Sequence, residues 1–114
     1  MVSKRPNRKS YLEKEPQYPL DEVKRLIRDG KIILIERARI RAWKSLGWRR
    51  QDISNAILKL QPKDFCKREQ ERKPPWGVLD IYKPKRKING ELIYLHYSIN
   101  DDDYLVIDSC HEQE

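Results

Sequence analysis

Residues 89–110 read NGELIYLHYSINDDDYLVIDSC, and this stretch decides the fold. Asn89-Gly90 is a strong tight-turn signal, because both residues tolerate the positive φ that a two-residue hairpin demands. Glu91–Ile99 then alternates apolar and polar side chains, as does Tyr104–Cys110, with Asp101, Asp102 and Asp103 forming the loop between them. Such alternation is the period of a strand with one wet face. Upstream, Gly77–Lys83 reads as a further strand, set off by the breaker Lys73-Pro74-Pro75. The three strands make an antiparallel meander. Before Lys73 the period is helical. Leu20, Val23, Leu26 and Ile27 recur on one face, with Gly30 as a stop; Asp21 and Glu22 in the first turn and Lys24, Arg25 and Arg28 later suit the helix dipole. Ile33, Leu34 and Ile35 form a short strand. A second helix runs from Glu36 to Leu46, with Ala38, Ala42, Trp43 and Leu46 inward and Gly47 as its stop. A third runs from Arg50 to Leu60, with Ile53, Ala56, Ile57 and Leu60 on one face. Pro62 opens a short helical turn carrying Phe65 and Lys67. Helices followed by strands predict an α+β domain, its helices packed on one face of a twisted antiparallel sheet.

The 114 residues suffice for one domain with one modest core. The ordered part is expected over residues 18–114, behind a basic, flexible arm at residues 1–17. No apolar run approaches the roughly 20 residues of a membrane span. MVSKRPNRKS lacks the apolar centre of a secretory signal, so a cytoplasmic location is expected. Cys66 and Cys110 are far apart and without metal spacing, which reads as two reduced thiols. With His96 and His111 they make no credible zinc site, and neither metal nor cofactor is expected. The four glycines are scattered, which excludes a nucleotide-binding glycine loop.

The formal charge is +7, from 25 Lys and Arg against 18 Asp and Glu. A basic surplus favours a polyanionic partner, of which nucleic acid is the commonest. It is clustered: Lys4, Arg5, Arg8 and Lys9; Lys67, Arg68, Arg72 and Lys73; Lys83, Lys85, Arg86 and Lys87. The strand period adds geometry. With Ile99 opposite Tyr104, Tyr94 falls opposite Ser109, and His111 lies two residues along on the same face. Such diagonal neighbours stand about 7–8 Å apart at Cα, within reach of long side chains, unless a bulge breaks the parity. His96 shares that face. Read singly, each residue has a plainer role. His111, four residues from the end, reads as a frayed tail histidine, and His96 as a surface or hydrogen-bonded strand residue. Lys67 reads as one charge in a basic run. Trp43 and Trp48 read as core, and Trp76 as packing against a helix.

Five segments together resemble the MqsR family of toxins. DEVKRLIRDGKI at 21–32 is similar to the family's first helix, glycine and strand, and LQPKDFCK at 60–67 to its L…DFYK motif. WGVLDIYKP at 76–84 resembles WQDVYRP. NGELIYL at 89–95 resembles the G…YLK strand, and VIDSCH at 106–111 the closing VSFK or ISFH strand. The resemblance spans nearly everything from Tyr18 onward. It implies a RelE-like RNase fold, ribosome-independent cleavage of single-stranded messenger RNA at short sequences, often GCU, and an MqsA-like antitoxin partner. It carries active-site roles onto Lys67, Tyr94 and His111. The family's glutamine has no counterpart: aligning DIYKP places Leu79 there, and aligning on Trp76 places Gly77. That departure leaves the RNA sequence preference open.

RNA carries its own nucleophile, the 2′-OH. A metal-free nuclease then needs a base for that proton, cations for the phosphorane and an acid for the departing 5′-oxygen. Histidine suits proton transfer near neutrality, which makes His111 the principal candidate, with Tyr94 and Lys67 completing the phosphate site. Arg68, Arg72, Lys73, Tyr82, Lys83, Lys85 and Arg86 are the expected RNA contacts, Tyr82 serving the sheet as well. The competing readings are a toxin of the same fold that acts only on the ribosome and a non-catalytic nucleic-acid-binding module.

Overall fold

Residues 15–72 and 77–114 are described by the computed structural model. Helix α1 spans Leu20–Arg28, strand β1 Ile32–Leu34, α2 Glu36–Leu46 and α3 Arg50–Leu58. A single 3-10 turn at Pro62–Asp64 leads into β2 at Phe65–Gln70, followed by β3 at Val78–Tyr82, β4 at Ile93–Ile99 and β5 at Leu105–Glu112. The five strands form one sheet in the order β1-β5-β4-β3-β2.

The class is α+β, and β3, β4 and β5 form the antiparallel meander that the alternation predicts. The sheet as a whole is mixed, because β1 adds to β5 in parallel, Ile32 pairing with Leu105 and Leu34 with Ile107. Three apolar residues carry no information about strand direction. Backbone bonds fix it: Leu105 N–H donates to the Lys31 carbonyl at 2.9 Å, and Ile35 N–H to that of Ile107 at 3.2 Å.

The second correction concerns Phe65–Gln70, which is strand β2 and not the continuation of a helical turn. The helical signal ends at Asp64, whose carboxylate accepts from the Gln61 N–H at 2.8 Å and closes the turn. FCKREQ lies at the sheet edge and pairs only with β3, so it shows no apolar period to read. A bulge at Cys66 separates Phe65, opposite Tyr82, from Lys67, opposite Ile81.

Buried residues from all three helices (Val23, Leu26 and Ile27; Ala42; Ile53, Ala56 and Ile57) form one cluster with Tyr82, Ile93, Leu95, Tyr97, Leu105, Ile107 and Cys110 of the sheet. Phe65, Tyr82 and Tyr97 form an aromatic chain within it, each pair 5.5 Å apart. Trp48 is buried there, but Trp43 is 52% exposed, with the Arg49 guanidinium 5.4 Å over its ring. The small Ala38 and Ala42 are the residues that α2 buries, which turns Trp43 outward. No helix among the described residues is long and apolar enough to cross a membrane.

Residues 1–14 and 73–76, with the arm cations, Lys73 and Trp76, lie outside the described residues. Gln17, at the end of the expected arm, is tied to the sheet: the N–H groups of Gln17 and Tyr18 both donate to the Asp80 carboxylate at 2.9 Å.

Candidate active site

In β4, Ile93, Leu95 and Tyr97 point into the core, so Tyr94, His96 and Ser98 must project from the other face. In β5 the alternation is interrupted. Tyr97 pairs with Ile107 but His96 pairs with Ser109, leaving Asp108 as the extra residue of a bulge. Asp108 and Ser109 therefore both face outward, Cys110 returns to the core, and His111 comes out opposite Tyr94. The expected pairing of Tyr94 with Ser109 is thus displaced: the loop pairs Ile99 with Leu105, one residue later than expected, and the bulge adds one more. Two single shifts restore the parity, so Tyr94 and His111 share a face, as direct partners and not diagonal ones.

Their rings are stacked, 4.8 Å between centroids and 18° between planes, and His96 meets Tyr94 edge-on at 5.7 Å. A pocket of about 440 Å³ opens here, lined by Arg41, Lys83, Tyr94, His96, Ser109, His111 and Glu114. His111 is no frayed residue. It is 8% exposed, because the ladder continues past it to the pair Ile93–Glu112. Beyond it the Gln113 amide donates to the carbonyls of Pro84 and Ile93 at 2.6 and 2.9 Å, and Glu112 N–H donates to Ser45 Oγ on α2 at 3.2 Å. Arg41 of the same helix pairs with Glu114 at 2.9 Å.

His111 Nδ1 lies 2.7 Å from the Glu112 carbonyl oxygen. A carbonyl only accepts, so Nδ1 must carry the proton, and Nε2 of the neutral ring keeps its lone pair. Burial raises the Tyr94 phenol above its ordinary pKa, with Glu69 and Cys66 adding to the effect, so it stays protonated at neutral pH. His96 is shifted down by burial, against the pull of Asp108, whose carboxylate stands 3.4 Å from its Nε2. Among the described residues no group of three or more His, Cys, Asp or Glu could hold a metal ion.

The other expected residues divide. Lys83 is exposed at the pocket wall. Lys67 shares the outer face but sits on β2, across Ile81 from His96, at two strand spacings or roughly 10 Å from the pocket's strands. It is half exposed and pairs with Glu69 at 3.6 Å. Arg68 turns to the opposite face, where it donates to the Gln17 side chain at 2.9 Å. Arg86 is committed to structure, bonded to the buried Asp64 at 2.7 Å and to the Lys59 carbonyl at 2.9 Å. Arg72 and Lys85 are exposed. Tyr82 is fully buried in the core and has no surface to offer RNA, the strand alternation having turned it inward. Leu79, one candidate for the family's glutamine position, is a buried residue of β3, and Gly77 N–H donates to Glu71 Oε1 at 3.0 Å.

Sequence reasoning missed Arg41, Ser109 and Glu114, and treated His96 as peripheral. Arg41 reaches the site from a helix about seventy positions away in the chain, and nothing local signals that. For His96 the signal was present, since it alternates onto the Tyr94 face.

No curated protein matches the chain. The family model described as motility quorum-sensing regulator, toxin of MqsA, matches residues 15–111, from the first residue described to the histidine that faces Tyr94. With a match running through every helix and strand of the fold, the chain belongs to the MqsR toxin family.

Proposed function

We propose that this toxin of a toxin–antitoxin system is an endoribonuclease. It cleaves single-stranded messenger RNA at short sequences of the GCU kind, without the ribosome and without a metal, and an MqsA-like antitoxin neutralises it. The observation that carries the reading is the stacked Tyr94–His111 pair in a pocket bordered by Lys83 and Arg41.

In this mechanism His111 Nε2 takes the proton from a ribose 2′-OH. The 2′-oxygen attacks phosphorus and the bond to the 5′-oxygen breaks; the 5′-oxygen takes a proton from water, so a cyclic phosphate and a 5′-hydroxyl remain. Lys83 and Arg41 offset the charge that develops on the phosphorane, Arg41 held in place by Glu114. The Tyr94 hydroxyl donates to a phosphate oxygen while its ring fixes the plane of the imidazole. Lys67, with Arg72 and Lys85, binds the RNA backbone on either side.

The test is single-turnover cleavage of protein-free RNA, with the ends sequenced. Wild type should produce a small set of ends sharing a short motif. His111→Ala should lose ~10²–10⁴-fold in rate while keeping its circular dichroism and RNA affinity. Cleavage only when ribosomes are added would favour the ribosome-dependent reading. Unchanged rates in folded His111→Ala would refute the role of His111. Co-expression of an adjacent open reading frame should relieve growth arrest and yield a co-purifying complex; if no neighbour does so, the antitoxin reading fails.

A further inference from the structure

Helix α2 meets the core along a narrow stripe, Ala38 and Ala42 being buried and Leu46 partly so. The rest of it is exposed and carries four cations, Arg37, Arg39, Arg41 and Lys44, against one acid, Glu36. Glu36 is taken up by Arg39 at 2.5 Å, and Arg41 pairs with Glu114. Among the described residues Arg37 and Lys44 make no ion pair, nor do Arg49 and Arg50 beyond the helix end. Positive charge left unbalanced on one face attracts a polyanion.

Trp43 stands within that charge and is 52% exposed. The Arg49 guanidinium lies 5.4 Å over its ring, and both line a pocket of about 280 Å³ completed by Arg39, Trp48 and Arg50. Arg50 is anchored by the Ile32 carbonyl at 2.9 Å. An indole among guanidinium groups suits single-stranded nucleic acid of any sequence: a base stacks on the ring, and the cations hold the phosphates.

Position ties this surface to the Tyr94–His111 pocket. At 3.6 residues per turn, Trp43 and Arg41 stand roughly 160° apart on the exposed side of α2, with Ile40, Lys44 and Arg37 between them. Arg41 lines the Tyr94–His111 pocket and also an open groove shared with Arg37, Ile40 and Lys44, so the two surfaces are continuous. The crossing is the width of a helix with its side chains, about 10–12 Å. At about 3.4 Å per nucleotide of a stacked strand, that is roughly three nucleotides.

We propose that the outer face of α2 is an RNA-binding track, on which Trp43 stacks a base roughly three nucleotides from the cleaved bond while Arg37 and Lys44 hold the phosphates between. The inference rests on the reading of the chain as an RNA-cleaving enzyme and extends its substrate from the cleaved motif to a longer single strand. An acidic protein segment would answer the charge alone; the exposed indole and the continuity through Arg41 favour RNA.

The test compares RNAs built on a cleavage site mapped with wild type. One carries a single nucleotide on each side of the motif, and two others are extended by six nucleotides on one side or the other. Wild type should have a higher kcat/KM on one extended RNA than on the short one. Trp43→Ala should lower kcat/KM on that RNA by about 5- to 150-fold, through KM and not kcat, because the contact is remote from the bond being broken. On the short RNA it should match wild type, and Trp43→Phe should recover much of the loss. Salt separates stacking from charge. With the extended RNA made uncleavable by a 2′-deoxy residue at the scissile position, the slope of log Kd against log salt should be unchanged in Trp43→Ala. It should fall by about 1.4 in the double variant Arg37→Ala, Lys44→Ala, at about 0.7 for each phosphate contact on a single strand. Three results overturn the track: no advantage of either extended RNA in wild type, an unchanged KM in Trp43→Ala, or a loss that falls equally on short and extended RNA. Trp43→Ala that cleaves every RNA like wild type but no longer retains its co-purifying antitoxin gives the face to a protein partner and also overturns it. In each of these cases a cleaving wild type leaves the nuclease reading intact. A wild type that yields no cleavage site to map overturns the nuclease reading and the track with it.

Discussion

The Tyr94 side chain does two separable things: its ring braces His111, and its hydroxyl remains a donor because burial holds the phenol protonated. Tyr94→Phe keeps the stack and removes one hydrogen bond to a charged oxygen, an interaction of about 1.5–3 kcal/mol, so cleavage should slow by roughly 10- to 100-fold. Tyr94→Ala should cost more, since the imidazole loses its support as well. Equal rates for Tyr94→Phe and wild type would assign the residue to packing alone. His111→Lys asks a different question. The MqsR resemblance places Lys or His at this position, and lysine titrates near 10.4 in its ordinary state. This variant should keep partial activity with its optimum displaced to higher pH; a pH profile superimposable on wild type would show that residue 111 does not transfer the proton.

At the scale of elements, β5 and α2 build the site between them. The bulge gives β5 two consecutive outward residues, one against His96 and one on the pocket wall, without moving Cys110 out of the core. Helix α2 packs along β5 and delivers Arg41 and Ser45 to its end. The exit of that helix depends on Gly47, whose φ of 71° is left-handed and whose N–H bonds back to Trp43 at 2.9 Å. A Cβ there would meet nothing within 4 Å, so substitution costs backbone strain only. Gly47→Ala should destabilise the fold by about 1 kcal/mol and lower Tm by about 4 °C, readable by thermal circular dichroism. A loss of several times that amount would mean that α2 docks on β5 less independently than its contacts imply.

Across the whole molecule the two thiols report on opposite environments. Cys66 is exposed on the β2 bulge, whereas Cys110 is fully buried, and burial pushes its thiol up to about 12. In the native protein at pH 8 one equivalent of alkylating reagent should react quickly. The second should react only on unfolding, which makes Cys110 a probe of global stability. Two fast equivalents would show that the core over β5 opens locally. The proton-transfer mechanism proposed for this toxin uses no metal, so chelator should leave cleavage unchanged; activity lost in EDTA and restored by Mg²⁺ would overturn that mechanism.

The sequence by itself determined the α+β class, α2 to the residue, and the meander. Each follows from a local period or a turn signal such as Asn89-Gly90, and a period survives whatever packs on it. The tertiary structure alone decided that β1 runs parallel to β5 and that Phe65–Gln70 is a strand, because edge strands take direction and conformation from their partners. It also turned Trp43 outward and Tyr82 inward, removing Tyr82 from the RNA surface. It gave Arg86 to Asp64 and brought Arg41 to the pocket across the chain. Above all it placed the bulge at Asp108. A one-residue slip leaves no mark on the composition of a strand, yet it fixes which side chain stands behind His96.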